Sequence, residues 1–99
     1  MPRIQGLFES GIKTADALIK GCEGYVFSIT IAYKGVTAGD LCTLIDGLDI
    51  TGHDEVPIVF PDSNGILQLS WAQGKHFSTG IFFNKGAMGG SVFAELTCK

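Results

Sequence analysis

The chain has 99 residues, a formal net charge of -3, 45% hydrophobic residues and only 17% charged ones. At about 100–200 residues per domain it makes one domain, and low charge with high hydrophobicity excludes a disordered chain. A mean hydropathy of +0.30 without an apolar run near the ~18 residues of a membrane span leaves surplus apolar side chains that a small soluble domain must cover.

The basic residues Arg3, Lys13, Lys20, Lys34, Lys75, Lys85 and Lys99 are scattered singly. A nucleic-acid footprint needs them clustered, so neither nucleic acid nor a membrane is an expected partner. The opening MPRIQGLFES has no apolar h-region, so no signal peptide is expected. Cys22, Cys42 and Cys98 lack the paired spacing of a zinc site. They read as small buried hydrophobes made in a reducing cytosol.

In chain order, residues 1–10 read as an amino-terminal arm and 11–99 as the folded domain. GIKT and ADALIKG read as short strands in preference to a two-turn helix capped by Thr14. Tyr25 to Lys34 alternates large and small side chains with a period of two, which predicts a strand with Tyr25, Phe27, Ile29, Ile31 and Tyr33 on one face. LCTLID (41–46) is the next strand. EVPIVF (55–60) follows, with Pro57 placing it at an edge or bulge. Pro61 to Gly65 carries turn chemistry, which predicts a hairpin of 55–60 with 65–72. HFSTGIFFN (76–84) reads as one strand kinked at Gly80, and SVFAELTCK (91–99) as the last. About eight short strands with glycine-rich turns predict an all-β antiparallel sandwich or jelly roll.

An ordinary sandwich strand buries one face and wets the other. Here several strands carry apolar residues on both. Leu44 opposes Leu41 and Ile45; Leu67, Leu69 and Trp71 oppose Ile66 and Ala72; Phe82 opposes Phe77, Ile81 and Phe83; Phe93 opposes Val92, Ala94 and Leu96. A second chain is the economical cover, since burying about 1,000 Å² of apolar surface is worth about 25 kcal/mol before association costs. Leu44, Leu67, Leu69, Trp71, Phe82 and Phe93 are therefore the expected interface of a homo-oligomer.

No nucleophile elbow, phosphate loop, dinucleotide fingerprint or zincin motif occurs. His53 and His76 read as solvated. Asp46, Asp49 and Asp54 could bridge calcium, though without EF-hand spacing. Neither catalysis nor a cofactor is expected.

Between Tyr25 and Lys99, ITIAYKGVTAGDLCTLIDGLDITG (29–52), DSNGILQLSWAQGKHFSTGIFFNKG (62–86) and SVFAELT (91–97) resemble small virion proteins of tailed bacteriophages. The resemblance spans about three-quarters of the chain, and its motifs are structural turns. It implies a jelly-roll homotrimer made in the host bacterial cytoplasm that acts as a capsid decoration, or cement, protein. Such a protein sits on the outer capsid surface and clamps neighbouring major capsid protein subunits. The amino-terminal arm, anchored by Arg3, Ile4, Leu7 and Phe8, would reach the capsid. The alternative is a tail or fibre component that binds a host glycan through Trp71 or the 46–54 loop.

Overall fold

The computed structural model describes residues 7–86 and 89–99. The strands are β1 (Phe8–Glu9), β2 (Ala17–Lys20), β3 (Gly24–Lys34), β4 (Leu41–Asp46), β5 (His53–Val59), β6 (Asn64–Phe77), β7 (Ile81–Asn84) and β8 (Ser91–Cys98). They form two four-stranded antiparallel sheets, ordered β1-β8-β3-β6 and β2-β7-β4-β5. The expected all-β sandwich is the fold. β1 pairs with β8, β2 with β7, β3 with β6 and β4 with β5. A long antiparallel ribbon is thus rolled up until β3 meets β8 and β4 meets β7, the double Greek-key winding of a jelly roll.

Rolling the ribbon puts consecutive strands in opposite sheets, so β4–β5 is the one hairpin among them. The hairpin expected over 55–72 does not form. Pro61–Ser63 instead carries the chain from one sheet to the other. Phe60, fully buried, turns inward and packs on Tyr33 with ring centroids 4.5 Å apart. The Tyr33 hydroxyl donates to Asp62 Oδ1 at 2.7 Å. Turn chemistry marked the bend correctly, but it carries no information on whether the returning strand pairs or crosses.

Residues 76–84 are likewise not one strand. His76 and Phe77 finish β6, the chain bends over 78–80, and β7 starts at Ile81 in the other sheet. Pro57 sits on β5, an edge strand, beside a register shift, as its missing N–H requires.

The alternation of β3 changes phase part-way. Val26 pairs with Lys75 and Ser28 with Ser70, so Trp71 to Gly74 bulge out opposite the single residue Phe27. Val26, Ile29, Ile31 and Tyr33 are buried, whereas Tyr25 is exposed and Phe27 half-buried. The five large residues expected on one face are therefore split by a bulge, which re-aims side chains as bulges do.

The core is one cluster drawn from both sheets. Val26, Ile29 and Ile31 meet Leu44, Ile58, Phe60, Phe77, Ile81, Phe83 and Leu96 there. The result is a flat body of 37 × 34 × 19 Å.

Candidate functional site

The surplus apolar residues resolve into three groups once burial is known. Leu44 is fully buried and lies between Phe83 on β7 and Val56 on β5. It belongs to the core and has no surface left for a partner, which corrects its assignment to an interface. Leu67 and Trp71 are half-buried and pack against the core from edge strand β6. Leu69, paired with the buried Ile29, points the same way but is 38% exposed. These three line the open flank of the sandwich.

Phe82 and Phe93 do face outward. Phe93 and Ile66 flank Ala32 in register across β8, β3 and β6, and both are exposed. The outer face of the second sheet is more apolar still. Leu18, Phe82 and Ile45 form one cross-strand row, and Leu41 pairs with Val59 beyond it. Ile45 is fully buried on this outward side because the 47–52 loop folds over it. A Cβ at Gly52 would sit only 2.7 Å from Ile45 Cγ2, so glycine is what permits the approach. That loop adds Leu48 and Ile50, 51% and 60% exposed, to Leu18, Leu41 and Val59 at 47–55%, with the Asn84–Thr43–Pro57 row lying between Leu18 and the Leu41–Val59 pair.

Leu18, Leu41, Leu48, Ile50 and Val59 were absent from the interface expected from sequence. Leu41 and Ile45 were visible as an apolar face opposite Leu44. Period-two alternation cannot say which of two apolar faces is inward, so in the sequence alone the Leu41–Ile45 face and the Leu44 face are interchangeable.

Of the expected arm, Arg3 and Ile4 lie outside the described residues. Leu7 is half-buried. Phe8 pairs with Cys98 as β1 and packs against the core, so its ring is used within its own sandwich.

One loop constellation stands out. Asp46, ending β4, accepts the N–H and hydroxyl of Ser78 at 3.0 and 2.9 Å, the N–H of Thr79 at 2.8 Å and that of Gly80 at 3.4 Å. Partial desolvation pushes its carboxyl up, but the donors from Thr79, Ser78 and Gly80 outweigh it and hold it at about 2. Gly80 is required there, since a Cβ would lie 2.7 Å from the Gly47 carbonyl oxygen and 2.9 Å from that of Lys20. Asp49 is used by the N–H and hydroxyl of Thr51 at 2.9 and 2.5 Å. Asp46, Asp49 and Asp54 therefore do not converge, and no group of three metal-ligating side chains occurs among the described residues.

His53 Nδ1 lies 2.9 Å from Glu55 Oε2, and Lys75 Nζ 3.0 Å from Glu55 Oε1. Lys75, then His53, hold the Glu55 carboxyl below its ordinary range. The Lys75–Glu55 pair ties β6 to β5 across the open flank, though a solvated pair is worth no more than about 1 kcal/mol.

The thiols differ sharply. Burial pushes Cys42 up to about 12 and Cys98 up to about 11, whereas Cys22, expected to be buried with them, is exposed. Ellman's reagent is therefore expected to titrate one thiol in the folded protein and all three in denaturant. Fast reaction of three thiols without denaturant would contradict the packing.

Comparison with protein-family models, characterised proteins and solved structures finds no match to this chain. What the geometry itself offers is contact surface: an apolar outer face on a thin sandwich.

Proposed function

We propose that the chain is a structural virion protein of a tailed bacteriophage, a capsid decoration protein that binds the outside of the head as a homotrimer and clamps neighbouring major capsid protein subunits. The observation that carries this reading is the outer face of the β2-β7-β4-β5 sheet, where Leu18, Leu41, Leu48, Ile50 and Val59 are about half exposed together. Several large apolar side chains left exposed on one side of a sheet point to an interaction site on a small protein. Copies of one chain meeting about a rotation axis are the common way to close it. Phe82 and Phe93, from the two outer faces, complete the proposed contacts.

The rest of the reading draws on the resemblance described above, on the jelly-roll winding, and on free thiols that suit manufacture in a bacterial cytoplasm. Cementing a shell demands a rigid wedge in many copies, and two sheets locked by one continuous core supply rigidity. Adding purified protein to undecorated heads tests the role. Saturable binding in many copies over the shell, with greater resistance of the heads to heat, is the expected result. Failure to bind heads, with the protein located at the tail, would overturn it.

The second reading, a host-glycan binding component of a tail or fibre, draws on a cavity beside Tyr25. It does not draw on Trp71, whose indole packs against the core.

A further inference from the structure

At one end of the sandwich, where β2 stops and β3 begins, lies a solvent-open cavity of about 350 Å³. Its floor is aromatic: Tyr25, 40% exposed, and the half-buried Phe27. Its rim is polar and of mixed sign, with Lys20, Glu23, Gln73 and Lys99. We infer that this cavity binds a neutral saccharide, one pyranose ring stacked on Tyr25 and Phe27 with its hydroxyls held by the rim. The inference goes beyond the decoration role and does not depend on it.

The β3–β6 bulge builds the floor. It turns Tyr25 and Phe27 outward together and brings Gly74 beneath them at φ +86°. A Cβ at Gly74 would come within 3.1 Å of both Phe27 Cζ and Tyr25 Cβ, so both side chains lie directly on its backbone. Two side-chain contacts hold the rim. The Tyr25 ring packs on His76 with centroids 5.0 Å apart, and His76 Nε2 lies 2.5 Å from Glu23 Oε2. Lys20 lies over Gly24, where a Cβ would be 2.8 Å from its Cδ. Reciprocal hydrogen bonds between the backbones of Tyr25 and Lys99, at 2.7 and 2.8 Å, fix the far side.

The mixture of groups selects the ligand class. An anion would face Glu23, and a cation would face Lys20 and Lys99. A hydroxyl both donates and accepts, so adjacent ring hydroxyls match the Glu23 carboxylate, the Gln73 amide and the two ammonium groups at once. The apolar C–H face of a pyranose suits an exposed aromatic pair. The volume lies at the lower end of ligand sites, about 300–1,000 Å³, which fits one or two sugar rings.

The test is a ¹H–¹⁵N NMR titration with the methyl glycosides of glucose, galactose, mannose and N-acetylglucosamine, and with methyl glucuronide. At least one neutral glycoside is expected to give saturable shifts at the amides of Gly24, Tyr25, Gly74 and Lys99, with a Kd of about 1–10 mM for a ligand this small. Tyr25→Ala and Gln73→Ala should each weaken it about tenfold, while Tyr25→Phe retains it. Absence of saturable shifts with every neutral glycoside, or shifts confined to another surface, overturns the inference. Tighter binding of methyl glucuronide than of methyl glucoside overturns the assignment to a neutral ring. If Tyr25→Ala fails to fold, the exposed Gln73 decides: unchanged affinity in Gln73→Ala overturns the site. Head binding by decoration is read separately, so either result can fail without the other.

Discussion

Leu44→Ala is expected to lower the free energy of unfolding by about 3–5 kcal/mol, with no effect on contacts between copies. Leu44 is fully buried between Phe83 and Val56, in the middle strands' share of the core. Truncation removes its transfer energy and leaves a hole that β-sheet neighbours on both sides cannot collapse to fill. Against a total stability of about 5–15 kcal/mol, the loss takes about a fifth or more of the fold's margin. Urea unfolding measures it directly. Phe93→Ala is the control: its ring lies on the outer face, so in the separated chain its truncation should stay within about 0.5–1 kcal/mol. A Leu44→Ala variant as stable as Phe93→Ala would mean that the inward and outward faces of β4 have been exchanged.

Asp46→Ala is the second large effect, a loss of about 2 kcal/mol. The carboxylate satisfies the N–H groups of Ser78, Thr79 and Gly80 where the chain crosses between β6 and β7. Water reaches the site, which keeps the effect below the sum of separate charged hydrogen bonds. Acid should reproduce it. The folded-state value of about 2 lies below the ordinary 3.8, so the stabilisation is fully present above pH 3.8 and lost as pH falls through about 2. Asp46→Asn should remove that part of the acid dependence. A variant with unchanged stability at neutral pH would show that the 78–80 crossing holds without its acceptor.

Much of the fold was legible in the sequence, and the failures have specific causes. Period-two alternation in Tyr25–Lys34 and Ser91–Lys99 marked β3 and β8, and Pro57 marked an edge strand, because each signal is local. What a turn connects is not local. Asn64-Gly65 looks the same whether the chain doubles back or crosses to the other sheet, and Phe60 and Asp62 commit it to crossing only by packing on Tyr33. The inward face was equally hidden wherever both faces are apolar, which misplaced Leu44 and left out Leu41. The aromatic cavity was hidden for a third reason. Tyr25 and Phe27 share a parity with Ile29 and Ile31, and only the bulge opposite Trp71–Gly74 separates them. Gly74 was the available signal, since an isolated glycine inside a strand pattern points to a bulge or a close backbone approach.

The apolar residues in excess of what one small domain needs thus divide between a filled core and outward rows. Leu18, Leu41, Leu48, Ile50 and Val59 lie on the outer side of one sheet of a 19 Å-deep body. The proposed role depends on their being covered by another copy of the chain.

Native mass spectrometry at micromolar concentration tests this most directly. The expected species has three times the 10.5 kDa chain mass and is converted to a folded single chain by Leu18→Asp together with Val59→Asp. A wild-type protein that flies as a single 10.5 kDa chain, with its outer face open, would contradict it.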